Sequence, residues 1–259
     1  MQQLTPLESA LRRDRAIVFF GLVAVALLAW AYLLYLARGM DMDVSMAMPQ
    51  VEPWGAADLT LMFAMWAVMM MAMMVPSAAP MILVFAAVNR KRREQQRPFI
   101  PTGVFLLGYL VVWSTFAAGA TLTQWGLHAN ALISPMMVGT SPILGGALLV
   151  TAGLFQWSSI KYACLTNCRS PLGFLMSEWR DGPYGALSMG VRHGIYCLGC
   201  CWLLMGLLFV LGVMNLVWIA ALATFVLVEK VAPAGHRVSR LTGLLLISWG
   251  ALMLAGVIG

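Results

Sequence analysis

A chain of 259 residues that is 61% hydrophobic and 10% charged lies outside the range of soluble globular domains, where roughly a quarter of the residues carry charge. Several stretches reach the ~20 apolar residues needed to cross a bilayer, so the composition specifies an all-α, polytopic transmembrane bundle and excludes a soluble fold. The net charge of +6 reads as a record of topology, because Lys and Arg collect at the ends of the apolar segments. No phosphate-cradling glycine motif, HExxH or internal repeat directs it towards nucleic acid, nucleotide or protease chemistry.

The predicted elements form one membrane domain over residues 1–259. A polar leader, 1–15, precedes a first span at 16–37, whose 22 uncharged residues exceed the 7–15 of a signal-peptide core. Residues 38–57 read as a methionine-rich loop in which Met40, Met42, Met46 and Met48 alternate with Asp41 and Asp43. Thioethers at this spacing suit soft Cu(I) and persist where thiols would oxidise. The second span, 58–88, carries Met62, Met65, Met69 and Met73 at helical spacing, with Met70 and Met74 beside them. Such a stripe is either packing or an ion path. Pro76 and Pro80 cannot donate to the carbonyls of Ala72 and Pro76, which leaves backbone oxygens to be satisfied within the membrane.

Arg90 to Arg97 anchor the next turn, and the third span follows at 102–125. His128 falls in an uncharged turn and reads as a solvated histidine. The fourth span, 142–160, ends at Lys161, expected to snorkel to the interface. Residues 161–184 form a polar, irregular connection bearing Cys164 and Cys168. The fifth span, 185–214, holds His193, Cys197, Cys200 and Cys201 at i, i+4, i+7 and i+8, one face of a helix. Spans at 217–229 and 241–258 complete seven. Seven crossings place 15 of the 16 Lys and Arg residues on one side, which puts the N-terminus inside and the C-terminus outside.

In that arrangement thioethers face the oxidising side and thiols the reducing side, where they stay free. Arg169 and Arg192 would bring positive charge to the thiols and favour the thiolate that binds metal. Glu229 and Lys230 stand at the membrane boundary, where ionisable groups are functional candidates. Glu229 is expected to pair with an arginine of the 169–192 loop, and Lys230 to snorkel. The candidate ligands are therefore Cys164, Cys168, His193, Cys197, Cys200, Cys201, Met65, Met69, Met73, Met42 and Met46, supported by Glu229, Arg169 and Arg192. Thiolate with imidazole suits Cu(I) and also Zn(II).

Trp66 followed by Met69-Met70-Met71-Ala72-Met73-Met74-Val75-Pro76-Ser77 and Pro80 resembles the first signature of a bacterial membrane protein family of unknown function. A second block, Cys164-Leu-x-x-Cys168-Arg-Ser-Pro171, Trp179-Arg180, Gly190-x-Arg-His-Gly194, Tyr196-Cys-x-Gly-Cys-Cys-Trp202 and Glu229-Lys230, is similar to that family as well. Its members are predicted to bind metal and are sometimes labelled copper chaperones. The resemblance spans residues 58–235 and implies metal handling in the bacterial inner membrane. The leading expectation is Cu(I) import or delivery to a cuproprotein recipient, a binding role before an enzymatic one. The alternatives are a thiol–disulfide oxidoreductase using Cys197-x-x-Cys200 and a structural or assembly subunit of a larger membrane complex. No nucleic-acid partner is expected.

Overall fold

The computed structural model describes residues 6–44, 54–96, 100–130 and 141–257, and these residues form ten helices without a strand. In chain order they are α1 (Pro6–Val44), α2 (Ala56–Glu94), α3 (Thr102–Ala129), α4 (Pro142–Phe155), α5 (Ser159–Arg169), α6 (Pro171–Glu178), α7 (Gly182–Gly206), α8 (Leu208–Leu211), α9 (Leu216–Val231) and α10 (Gly235–Leu254). Their starts follow ordinary capping chemistry. Ser141 and Ser158 accept from the backbone N–H groups of Leu144 and Lys161, and Asn215 accepts from Val217 and Trp218. Proline occupies the first turn of α4, α6 and α7.

Several boundaries differ from those expected. Spans 16–37, 58–88 and 102–125 lie within longer helices, so residues 38–44 belong to α1 instead of a loop, and His128 sits in α3. Hydropathy marks the membrane-compatible part of a helix, whereas caps decide where the helix ends. The fourth span breaks after Phe155, and α4 and α5 meet at 62°. The connection 161–184 is mostly helical, forming the end of α5 and all of α6. Span 185–214 divides at Gly206 into α7 and the short α8, and Gly212 then turns the chain at φ +98°.

Among the described residues five helical segments are long and apolar enough to cross a membrane: Ala16–Arg38, Ala56–Arg92, Thr102–Ala129, Gly182–Leu211 and Gly235–Leu254. The bent α4–α5 pair would make a sixth by the same measure. Large apolar side chains such as Phe20, Leu28, Tyr35 and Leu245 are exposed, the surface of a membrane protein. With 16 residues, α9 is about 24 Å long at 1.5 Å per residue, short of a hydrocarbon core of about 30 Å.

Small residues set the closest packing. A Cβ on Gly190 would collide with the Phe105 carbonyl, and one on Gly108 with the Leu187 carbonyl. The α3–α7 contact therefore requires glycine on both sides. Aromatic and charged contacts tie the helices together near their ends: Trp54 stacks on His128 at 4.8 Å, Trp218 meets Trp249 at 5.8 Å, Tyr162 stacks on His236 at 4.4 Å, and Arg92 pairs with Asp181 and lies over Trp179.

Candidate metal-handling site

The site begins on α2. Met65, Met69 and Met73 are all buried, as are Met70 and Met74. Continuing their four-residue spacing reaches Ser77, also buried. Pro76 has no N–H for the Ala72 carbonyl, and the Trp30 indole of α1 supplies one at 3.2 Å. Two residues on, the Met74 carbonyl accepts from the Ser77 hydroxyl at 2.8 Å and from the Tyr109 hydroxyl of α3 at 3.1 Å. At the other end of the stripe Gln124 accepts from Trp66 at 2.6 Å and turns its amide nitrogen to the Met62 sulfur at 3.8 Å. Met42 belongs to the last turns of α1, and its side chain, like the whole of Met46, lies outside the described residues.

On α7, His193, Cys197, Cys200 and Cys201 are buried, each at 2% exposure or less. Cys197 is 15 residues beyond Gly182, about 22 Å along the helix axis, so the thiols lie well inside α7. Helix α5 folds back against them. Cys168 on α5 is buried beside Cys200, and Cys200 and Cys201 occupy the turn of α7 that follows Cys197. Both Cys200 and Cys201 donate to the Cys197 carbonyl at 3.0 Å. Cys164 is half-buried and rests on Gly199, where a Cβ would come within 2.7 Å of its sulfur. All five cysteines are free.

This geometry is a row, not a cage. Among the described residues no three or more His, Cys, Asp and Glu side chains converge as a ligand set for one ion. Each neighbouring pair offers two sulfurs, a low-coordinate arrangement of soft donors. His193 is held between Phe105, Tyr109 and Phe174, with ring centroids 5.6 to 6.1 Å away. Its Nδ1 has no hydrogen-bond partner among the described residues, an orphan that leaves a ring nitrogen free to act as a ligand.

The row ends on a residue expected at the surface. Lys230 is buried, and its Nζ lies 2.9 Å from the Cys197 sulfur and 2.9 Å from the Ser77 hydroxyl. Tyr109 Oη is 3.1 Å from the same sulfur. Met74 O, Ser77, Lys230, Cys197 and Tyr109 thus close a hydrogen-bonded ring that joins α2, α9, α7 and α3. Desolvating an ammonium costs several kcal/mol unless an anion or strong acceptor faces it. Here the group that can carry negative charge is Cys197.

Supporting residues are placed differently from the expectation. Glu229 pairs with Lys161, whose Nζ lies 2.8 and 3.0 Å from the two carboxylate oxygens. Lys161 does not snorkel, because α5 turns inward and carries it there, 1% exposed. Arg169 reaches the backbone carbonyls of Glu229, Ala232 and Pro233 at 2.7, 2.6 and 3.2 Å. It caps the end of α9 and faces no thiol directly. Arg192 is half-exposed and pairs with Glu178 at 2.8 Å. The cation beside the thiols is therefore Lys230. An ionisable residue at membrane depth is the sequence signal for it; Ser77 stands out only within the first family signature, and Tyr109 not at all in its apolar span.

The family model PpoB2, described as copper chaperone, matches residues 63–253. No curated protein and no solved structure matches the chain.

Proposed function

Because the chain belongs to the copper chaperone family, we propose that it binds Cu(I) within the membrane and passes it from thioethers to thiolates. The observation that carries this reading is the continuity of soft donors. Met65, Met69 and Met73 lead along α2 to Ser77, and Ser77 shares the Lys230 ammonium with Cys197, the end of the thiol row. Thioethers are neutral and weak, thiolates anionic and tight, so Cu(I) moves down a gradient of affinity without nucleotide hydrolysis. His193 offers its free Nδ1 beside the row. Met42 and Met46 capture the ion before it enters.

Seven crossings in a bacterial inner membrane, N-terminus inside, fit the distribution of 15 of 16 basic residues on one side. Arg92 with Asp181, and Tyr162 with His236, each join two segments that this topology puts on the inner side. On this topology α9 crosses with the short α8 and the Arg169-capped turn completing its path. Delivery to a cuproprotein or a membrane partner follows from the chaperone role. Zn(II) is the competing ion, since Cys and His serve both.

The test is Cu(I) stoichiometry of the purified, anaerobically reduced protein. Substituting both Cys197→Ser and Cys200→Ser removes one sulfur from the Cys197 and Cys201 pair and one from the Cys168 and Cys200 pair, and most of the bound Cu(I) is expected to disappear. Undiminished stoichiometry in a folded double variant overturns the reading.

A further inference from the structure

Resting on the copper reading above, we propose that Lys230 is the charge-selecting residue of the thiol site, a fixed counter-cation that matches it to monovalent soft ions and disfavours divalent ones. The premise is the isolation of the charge. Lys230 is buried, its Nζ contacts are the Cys197 sulfur and the Ser77 hydroxyl, and Tyr109 closes the other side of that sulfur. The neighbouring carboxylate is not available to it, since both oxygens of Glu229 face the Lys161 ammonium. The Lys161–Glu229 pair is neutral as a unit. Arg169 is directed to the carbonyls that end α9. The charge of the thiol site is therefore set by its sulfurs, its ion and Lys230.

Cys197 and Cys201 stand four residues apart on α7, where the Cys201 sulfur donates to the Cys197 carbonyl at 3.0 Å, and together they supply two sulfurs. Binding Cu(I) there forms two S–Cu bonds and breaks whatever S–H bonds remain, the protons leaving for solvent. No electron moves. Two thiolates around a monovalent ion make a complex of charge −1, which the ammonium cancels. The same two thiolates around a divalent ion are already neutral, and the ammonium is then left as an uncompensated buried charge, a costly state in a low-dielectric interior. Soft-ligand chemistry alone does not separate Cu(I) from Zn(II) at cysteine. The charge of the surroundings does.

The experiment uses the full chain, reduced and oxygen-free, in lipid nanodiscs, with Ag(I) as the redox-inert monovalent probe and Cd(II) as the soft divalent one. Lys230→Gln keeps a donor for Cys197 and Ser77 but removes the charge, while Lys230→Arg keeps the charge. The wild type is expected to prefer Ag(I). In Lys230→Gln the Ag(I)-over-Cd(II) preference is expected to fall at least about a hundredfold, equivalent to about 2.8 kcal/mol, and Lys230→Arg to restore most of it. An unchanged preference in Lys230→Gln, in protein that still binds Ag(I), overturns the role of Lys230 and leaves the copper reading standing. If the wild type binds neither Cu(I) nor Ag(I), the copper reading fails first. If Lys230→Gln does not fold, Lys230→Arg decides alone: retained preference supports the assignment, and loss of it in folded protein overturns it.

Discussion

Glu229 and Lys161 form an ion pair with each side chain only 1% exposed and Nζ 2.8 Å from the nearer carboxylate oxygen. Replacing Glu229 with Leu leaves the Lys161 ammonium in the protein interior with the Phe225 ring at 5.9 Å, too little to replace a carboxylate. Removing one member of a buried pair costs about 3–5 kcal/mol, while replacing both by apolar residues of similar volume is often neutral. Glu229→Leu is therefore expected to lower the folded-to-unfolded ratio by roughly a hundredfold to a few thousandfold. Lys161→Met should do the same, and the double variant should recover most of the loss. Reversible unfolding in mixed detergent micelles, followed by tryptophan fluorescence, measures all four corners of this cycle. A loss below about 1 kcal/mol in either single variant, or a double variant as unstable as the sum of the singles, would refute the argument that the pair is buried and mutually dependent.

Two further outcomes follow from packing. Gly190→Ala places a Cβ against the Phe105 carbonyl and 3.2 Å from Gly108 Cα, and unfolding should show a loss of about 1–3 kcal/mol from overpacking, with little change for Ala at Gly119, which faces open space. Trp30→Phe removes the donor that satisfies the Ala72 carbonyl beside Pro76, and the same assay should show a loss of about 1–3 kcal/mol; stability equal to wild type would mean that this carbonyl finds another partner.

Lys230 and Glu229 are adjacent in the chain, yet they serve different structures. Neighbouring helical positions point about 100° apart, so one reaches the thiols of α7 and the other the lysine of α5. Neutralising each other would have left both α5 and α7 without their charged partners. The cap on α9 fixes this divergence, because Arg169 holds the carbonyls of Glu229, Ala232 and Pro233.

Much of this protein is determined locally. Helical class, the burial of Met65, Met69 and Met73, the shared face of His193, Cys197, Cys200 and Cys201, and the carbonyl that Pro76 frees all follow from composition and a 3.6-residue period. Those properties depend on neighbours along one helix. The bend after Phe155, the inward turn of Lys161, the role of Arg169 as a cap and the contact of Lys230 with Cys197 do not. Each joins residues 33 to 68 positions apart or is a break whose angle periodicity does not encode. A lysine near a helix end can snorkel to water or be held inside, and hydropathy is the same in both cases. Which outcome obtains is settled by the partner that tertiary packing brings to it: a carboxylate for Lys161, and a sulfur with a serine hydroxyl for Lys230.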